Sequence, residues 1–296
     1  MNRWLQLEFT ADANAADALG TALEAAGALA ISFADPGGEP ILEPLPGSTP
    51  LWDRLVVSAL FAEQADVLML QAAISAALGT LPADLRSSFI EERDWVGEFR
   101  ENLQPLRFGQ KLWICPSGTG CPDPHGVALQ LEPGLAFGSG SHPTTRLCLE
   151  WLAGLELHGR QLLDFGCGSG VLAIAALMLG AGRATALDID PQALQASAGN
   201  AVRNGCRQHM DIIGSDELPG GARFDVIVAN ILADTLVESA ATLARHSRAG
   251  TRIAMSGILA GQSDRVREGC APWFDLEVAA EHEGWVLLAG QPAATP

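Results

Sequence analysis

The chain opens on a period of two. In Arg3-Trp4-Leu5-Gln6-Leu7-Glu8-Phe9-Thr10 the apolar residues Leu5, Leu7 and Phe9 alternate with polar ones, the signature of a strand with one wet face. Ala13–Gly27 changes to an alanine-rich helical pattern with Leu19 and Leu23 one turn apart, and Gly27 supplies its stop. Leu29–Phe33 and Arg54–Phe61 read as strands on either side of a Pro/Gly-rich stretch that contains Asp35-Pro36-Gly37-Gly38. Ala65–Leu78 repeats the helical period through Val67, Leu68, Leu70, Ile74 and Leu78, and Ser87–Glu91 reads as a fourth strand. The order β-α-β-β-α-β predicts a ferredoxin-like α+β domain over residues 1–93.

From Asp94 to Ser117 the periodicity fades. Trp95 and Phe99, four apart, predict a short amphipathic helix that Pro105 ends, and Lys111–Cys115 a strand; residues 94–117 are read as an interdomain linker. Residues 118–296 then alternate apolar strands with helices. Thr144–Leu152 is helical, with Thr144 or Thr145 as its cap. Leu162–Phe165, Arg183–Ile189, Met210–Ile213, Phe224–Asn230 and Thr251–Gly257 are strands, and Phe274–Ala280 and Glu283–Ala289 close the chain as a β pair. Helices fill the gaps, among them Pro191–Asn204, with Asp190 as N-cap, Pro191 at the first position and Gly205 as the stop. The pattern predicts an α/β, doubly wound, mostly parallel Rossmann-like sheet.

Composition narrows the setting. The 296 residues are 48% hydrophobic and 18% charged, enough for a large core and unlike a disordered chain. Met1-Asn2-Arg3-Trp4 leads into alternation rather than an apolar leader, and no apolar run is long enough for a bilayer, so a cytoplasmic protein and a monomer are expected. A net charge of −17 would be repelled by phosphate backbones, which favours a basic protein or a small molecule over nucleic acid as partner; acidity serves solubility as well. The six cysteines lack C-x-x-C pairs and ligand spacing, so reduced thiols and no metal are expected.

The candidate chemistry lies in Leu162-Leu163-Asp164-Phe165-Gly166-Cys167-Gly168-Ser169-Gly170-Val171. A strand runs into a loop with glycine at every second position and then into a helix. Such glycines let backbone N–H groups approach a ligand, with the positive helix end behind them. A second strand ends in Asp188, where a carboxylate can grip ribose hydroxyls. A dehydrogenase fingerprint would need glycine where Val171 stands, and a P-loop would need Gly-Lys-Ser/Thr. Asp164 to Gly170, Asp188 and Asn230-Ile231-Leu232-Ala233 instead follow, in order, the pattern of doubly wound S-adenosylmethionine enzymes. Gly166, Gly168 and Gly170 would hug the ligand, and Asp164 would hold its ammonium.

On these residues the chain closely resembles the bacterial methyltransferase family of ribosomal protein L-eleven (L11). Arg107-Phe108-Gly109, Leu112-Trp113-Ile114-Cys115-Pro116-Ser117, the run from Pro133 to Thr145 and Asn230-Ile231-Leu232-Ala233 are similar to its motifs, with Ser139 and Ser141 where threonines are expected. The resemblance implies a class I enzyme that methylates lysine ε-amines and the N-terminal α-amine of L11 with S-adenosyl-L-methionine. It implies cofactor contacts at Thr145, Gly166, Asp188 and Asn230, and a substrate-recognising N-terminal domain. Phe137 and His142, before the helix, are placed to close over cofactor or amine. A lysine amine attacks only when neutral, and its ordinary pKa is about 10.4. Asn230 and the carbonyls of Ile231 and Leu232 are therefore expected to accept its N–H bonds, with no dedicated general base. The alternatives are methylation of nucleic-acid bases or a small molecule, and a non-catalytic assembly partner; the aromatic of an N-P-P-Tyr/Phe motif is missing.

Overall fold

The computed structural model describes residues 3–37, 50–91, 104–116, 118–131 and 142–293. The chain divides into two compact units, Met1–Trp95 and Val96–Pro296.

In the first unit β1 (Arg3–Asp12), α1 (Ala16–Ala25), β2 (Ala30–Ala34), β3 (Arg54–Ala62), α2 (Val67–Leu78) and β4 (Arg86–Glu91) follow in order. The four strands pair antiparallel in the order β2-β3-β1-β4, the ferredoxin-like arrangement. Period-two alternation becomes a core: Leu5, Leu7 and Phe9 of β1 and Leu55, Val57 and Phe61 of β3 are buried. Leu19 and Leu23 of α1, with Leu70 and Ile74 of α2, close over them as pairs four residues apart. Asp66 caps α2 through Leu68 N at 2.9 Å, and Gly79 ends it at φ +76°.

The second unit holds two sheets. β5 (Leu106–Phe108), β6 (Leu112–Pro116) and β7 (Val127–Leu131) form the smaller one. The larger comprises β8 (Gln161–Phe165), β9 (Arg183–Asp188), β10 (Met210–Gly214), β11 (Phe224–Asn230), β12 (Ser247–Leu259), β13 (Phe274–His282) and β14 (Trp285–Pro292). Their order is β10-β9-β8-β11-β12-β14-β13, parallel from β10 to β12, with β14 antiparallel to both β12 and β13. Helices α3 (Pro143–Ala153), α4 (Val171–Met178), α5 (Pro191–Arg203), α6 (Ala233–Arg245) and α7 (Ser263–Cys270) connect these strands. Strand order reverses between β8 and β11, so a crevice opens beyond their C-terminal ends.

Two expectations need correction here. Residues 106–116, read as part of the linker, hold β5 and β6 of the second unit, with Phe108 and Leu112 in its core and Cys115 fully buried. β6 matches the strand expected at Lys111–Cys115, whereas the three residues of β5 are too few for a period to register. The α3 cap is His142, not Thr144 or Thr145: its Nδ1 accepts from Thr144 N at 3.3 Å, and both threonines are buried. The expected helix at Trp95 and Phe99 falls outside the described residues. Among the described residues, no helix is long and apolar enough to cross a membrane, and no cluster of potential metal ligands occurs.

Candidate active site

The candidate residues converge because four neighbouring parallel strands end together. Asp164 pairs with Ala186 on one side and Val228 on the other, while Asn230 pairs with Ser256. Asp188 and Asn230 therefore stand as the last residues of the two strands that flank β8 and its glycine loop. That loop turns through three left-handed residues, Gly166 (φ +79°), Gly168 (φ +52°) and Gly170 (φ +76°), a path that side-chain-bearing residues resist.

The loop's amides are used differently from the expectation. Gly166 N and Cys167 N both donate to Leu187 O at 2.8 and 2.9 Å, Gly168 N to Asp188 Oδ2 at 2.8 Å, and Gly170 N to Cys167 O at 2.8 Å. The turn folds back onto the end of β9 tightly enough to satisfy its own donors. The glycines thus supply conformation and close approach more than free N–H groups. Two α5 side chains, unremarked in the sequence, brace the loop from behind. Ser197 Oγ donates to Gly168 O at 2.9 Å, and Asn200 Nδ2 to Ser169 O at 2.9 Å. Polar residues three apart on an otherwise alanine-rich face were the available signal.

Asp188 is held by both carboxylate oxygens, Oδ2 by Gly168 N and Oδ1 by Asp190 N at 3.0 Å. Each oxygen keeps a second lone pair, so the group is oriented and can still accept hydroxyls. Asp164 is fully buried. Its Oδ2 accepts the first-turn amide of α4, Ala173 N at 3.1 Å, and its Oδ1 is buried with no partner among the described residues. Burial pushes its pKa from 3.8 to about 7; the Ala173 hydrogen bond opposes the rise and the charge of Asp188 adds to it. Burial likewise pushes the neighbouring Cys148 and Cys167 thiols well up, so neither acts as a nucleophile.

On the other side of the reversal, Asn230 Nδ2 donates to the buried Thr145 Oγ1 across a long 3.4 Å, and Asn230 Oδ1 is buried without a partner among the described residues. The other two expected acceptors are engaged or covered. Leu232 O takes the first α6 bond, from Leu236 N at 3.0 Å, and Ile231 O lies against the Cα side of Gly257. His142, half-buried, meets Trp285 edge-on at 5.3 Å, with Nδ1 at 2.8 Å from Thr144 Oγ1, and desolvation lowers its pKa. Phe137 lies outside the described residues.

Two buried oxygens without a partner among the described residues, Asp164 Oδ1 and Asn230 Oδ1, thus lie on the adjacent strands β8 and β11, next to a glycine loop and an oriented carboxylate. The set fits a ligand that carries an ammonium and a hydroxyl-bearing sugar. A cavity of about 1060 Å³ along α7, β13 and β14 has no candidate residue in its lining.

A family model described as ribosomal protein L11 methyltransferase (PrmA) matches residues 3–292. The chain belongs to the ribosomal protein L11 methyltransferase family. A protein of that name from Pectobacterium carotovorum is 44% identical over 296 residues, 99% of this chain and 99% of its own. A Pseudomonas aeruginosa relative, likewise named, is 48% identical over 295 residues, 98% and 99% of the two chains. The solved structure of a ribosomal protein L11 methylase from Lactobacillus delbrueckii matches with a TM-score of 0.57 at 29% identity, covering 64% of this chain and 99% of that one. Membership of the L11 methyltransferase family agrees with the Rossmann-like sheet and its reversal point.

Proposed function

We propose that the chain methylates amines of ribosomal protein L11, at lysine side chains and at the N-terminus, in the cytoplasm, with S-adenosyl-L-methionine as donor. The observation that carries the reading is the pair of buried oxygens, Asp164 Oδ1 on β8 and Asn230 Oδ1 on β11, that have no partner among the described residues. The donor supplies a methyl group on a sulfonium, which needs no metal. Asp164 Oδ1 would hold the donor's ammonium, which stabilises the carboxylate in its ionised form, and Asp188 the ribose hydroxyls. Gly166, Gly168 and Gly170 give the loop its left-handed course beneath the ligand, and Thr145 orients Asn230 from α3.

For the substrate amine, the residues must favour the neutral form and aim its lone pair. Asn230 Oδ1 accepts an N–H without adding formal charge, in a site where desolvation disfavours the ammonium. Of the three acceptors expected, this one is kept; the Ile231 and Leu232 main chain contributes by position. No side chain is assigned as general base. The N-terminal ferredoxin-like unit is read as the substrate-recognising module, and the acidity of the chain suits a basic protein partner.

The test offers the purified full chain labelled donor together with L11, ribosomal RNA and free small-molecule amines. Label confined to L11 supports the reading; label in RNA or in the small amines instead would refute it.

A further inference from the structure

Ile231 occupies a slot between two glycines. On one side, a Cβ placed on Gly166 would come within 2.3 Å of Ile231 Cγ2. On the other, a Cβ on Gly257 would lie 2.3 Å from Ile231 O, 2.8 Å from its carbonyl carbon and 3.1 Å from its N. The first neighbour is the end of a side chain, whereas the second is main chain and cannot rotate away. Gly257 is buried at φ +84°, and the β12–β14 register shifts between Met255 and Ile258, a bulge of the kind that re-aims a strand beside a site. Ser256 anchors that bulge, donating from Oγ to Val286 O at 3.0 Å while its carbonyl accepts Ile231 N at 3.2 Å. The 3.4 Å contact with Thr145 is long for a hydrogen bond, so the Asn230 amide depends on where this main chain is held.

We propose that Gly257 is a positioning residue for methyl transfer. By lacking a Cβ it seats the Ile231 main chain, and so fixes Asn230 relative to the loop at Gly166. The proposal rests on the methyl-transfer reading above and adds a residue outside the nucleoside-binding motifs. Relieving a 2.3 Å contact requires a displacement of about 0.7–1 Å, and misplacement on that scale costs a reaction about 10²-fold.

The test is Gly257→Ala in the full chain, with transfer to L11, calorimetric binding of S-adenosylhomocysteine and thermal melting measured together. The expected result is a kcat lower by about 10²-fold, with KM for L11 and affinity for S-adenosylhomocysteine within about threefold of the unaltered chain. A double-mutant comparison separates the two sides of the slot. Adding Ile231→Ala should restore part of the affinity that Gly166→Ala loses, and should leave the Gly257→Ala defect in kcat unchanged. An unaltered kcat in Gly257→Ala would overturn the proposal. So would parallel loss of kcat, affinity and melting temperature, or rescue of Gly257→Ala by Ile231→Ala. If the unaltered chain transfers nothing to L11 in the same assay, the methyl-transfer reading has failed and the proposal falls with it.

Discussion

Asp164 should make the ligand-free protein less stable as the pH rises towards neutrality. Its folded pKa, about 7, lies above the ordinary 3.8, so the folded state holds its proton more tightly than the unfolded chain. That contribution is fully present below pH 3.8 and is lost as the pH climbs through about 7. The rise corresponds to ~4 kcal/mol. Asp164→Asn removes the ionisation and keeps the shape, since the amide oxygen can still accept Ala173 N. Its NH₂ then occupies the position of Oδ1, where no acceptor stands among the described residues, at a cost of ~1–3 kcal/mol. The protonated carboxyl carries the same burden, so at pH 8 the variant should gain ~4 kcal/mol over the unaltered chain, a rise in melting temperature of roughly 8–16 °C. At pH 5 the folded carboxyl is protonated while the unfolded one is ionised, so the gain should shrink to ~1–2 kcal/mol. Asp84, held low by its Thr10 hydrogen bond, and Asp211, held low by Arg183, lose their contributions only as the pH falls below this window. Thermal melts of both proteins at half-unit steps from pH 5 to 8 read the difference directly. Parallel curves across that range would refute the assigned burial of charge. The same variant should bind S-adenosylhomocysteine more weakly, because a neutral amide cannot balance an ammonium, so stability and binding should move in opposite directions.

Other variants probe the rest of the site. Asn230→Ala should lower kcat by about 10²–10³-fold while S-adenosylhomocysteine affinity stays within about tenfold, because the lost acceptor faces the amine. Unchanged turnover in a calorimetrically competent variant would remove Asn230 from the chemistry. His142→Ala should cost ~1 kcal/mol through loss of the α3 cap, about 2–4 °C in melting, and His142→Asn should recover most of it; equal losses would mean that packing on Trp285 matters more than the cap.

The strand and loop of the site were legible because both carry strong local signals. β11 runs from Phe224 to Asn230 as its apolar run suggests, and Asp190 and Pro191 start α5 as expected. Other features depend on tertiary contact and leave little local trace. β5 has three residues and β7 five, so neither displays a period, and only burial against the second unit's core defines them. The fate of the loop amides depends on how closely Gly166 and Cys167 approach Leu187, twenty residues away. Gly257 looked like the end of a strand; its importance emerges only when β12, longer than expected at Ser247–Leu259, brings it against Ile231. The His142 cap was hidden by two adjacent threonines, either of which could have served.

The central claim is that this site methylates amines of L11. Its most direct measurement is tandem mass spectrometry of unmethylated L11 after incubation with the chain and donor, with the Asn230→Ala variant in parallel. The account expects methyl increments on lysine ε-amines and the N-terminal α-amine with the unaltered chain, and almost none with the variant. L11 that stays unmodified, or that is modified equally by both proteins, would contradict it.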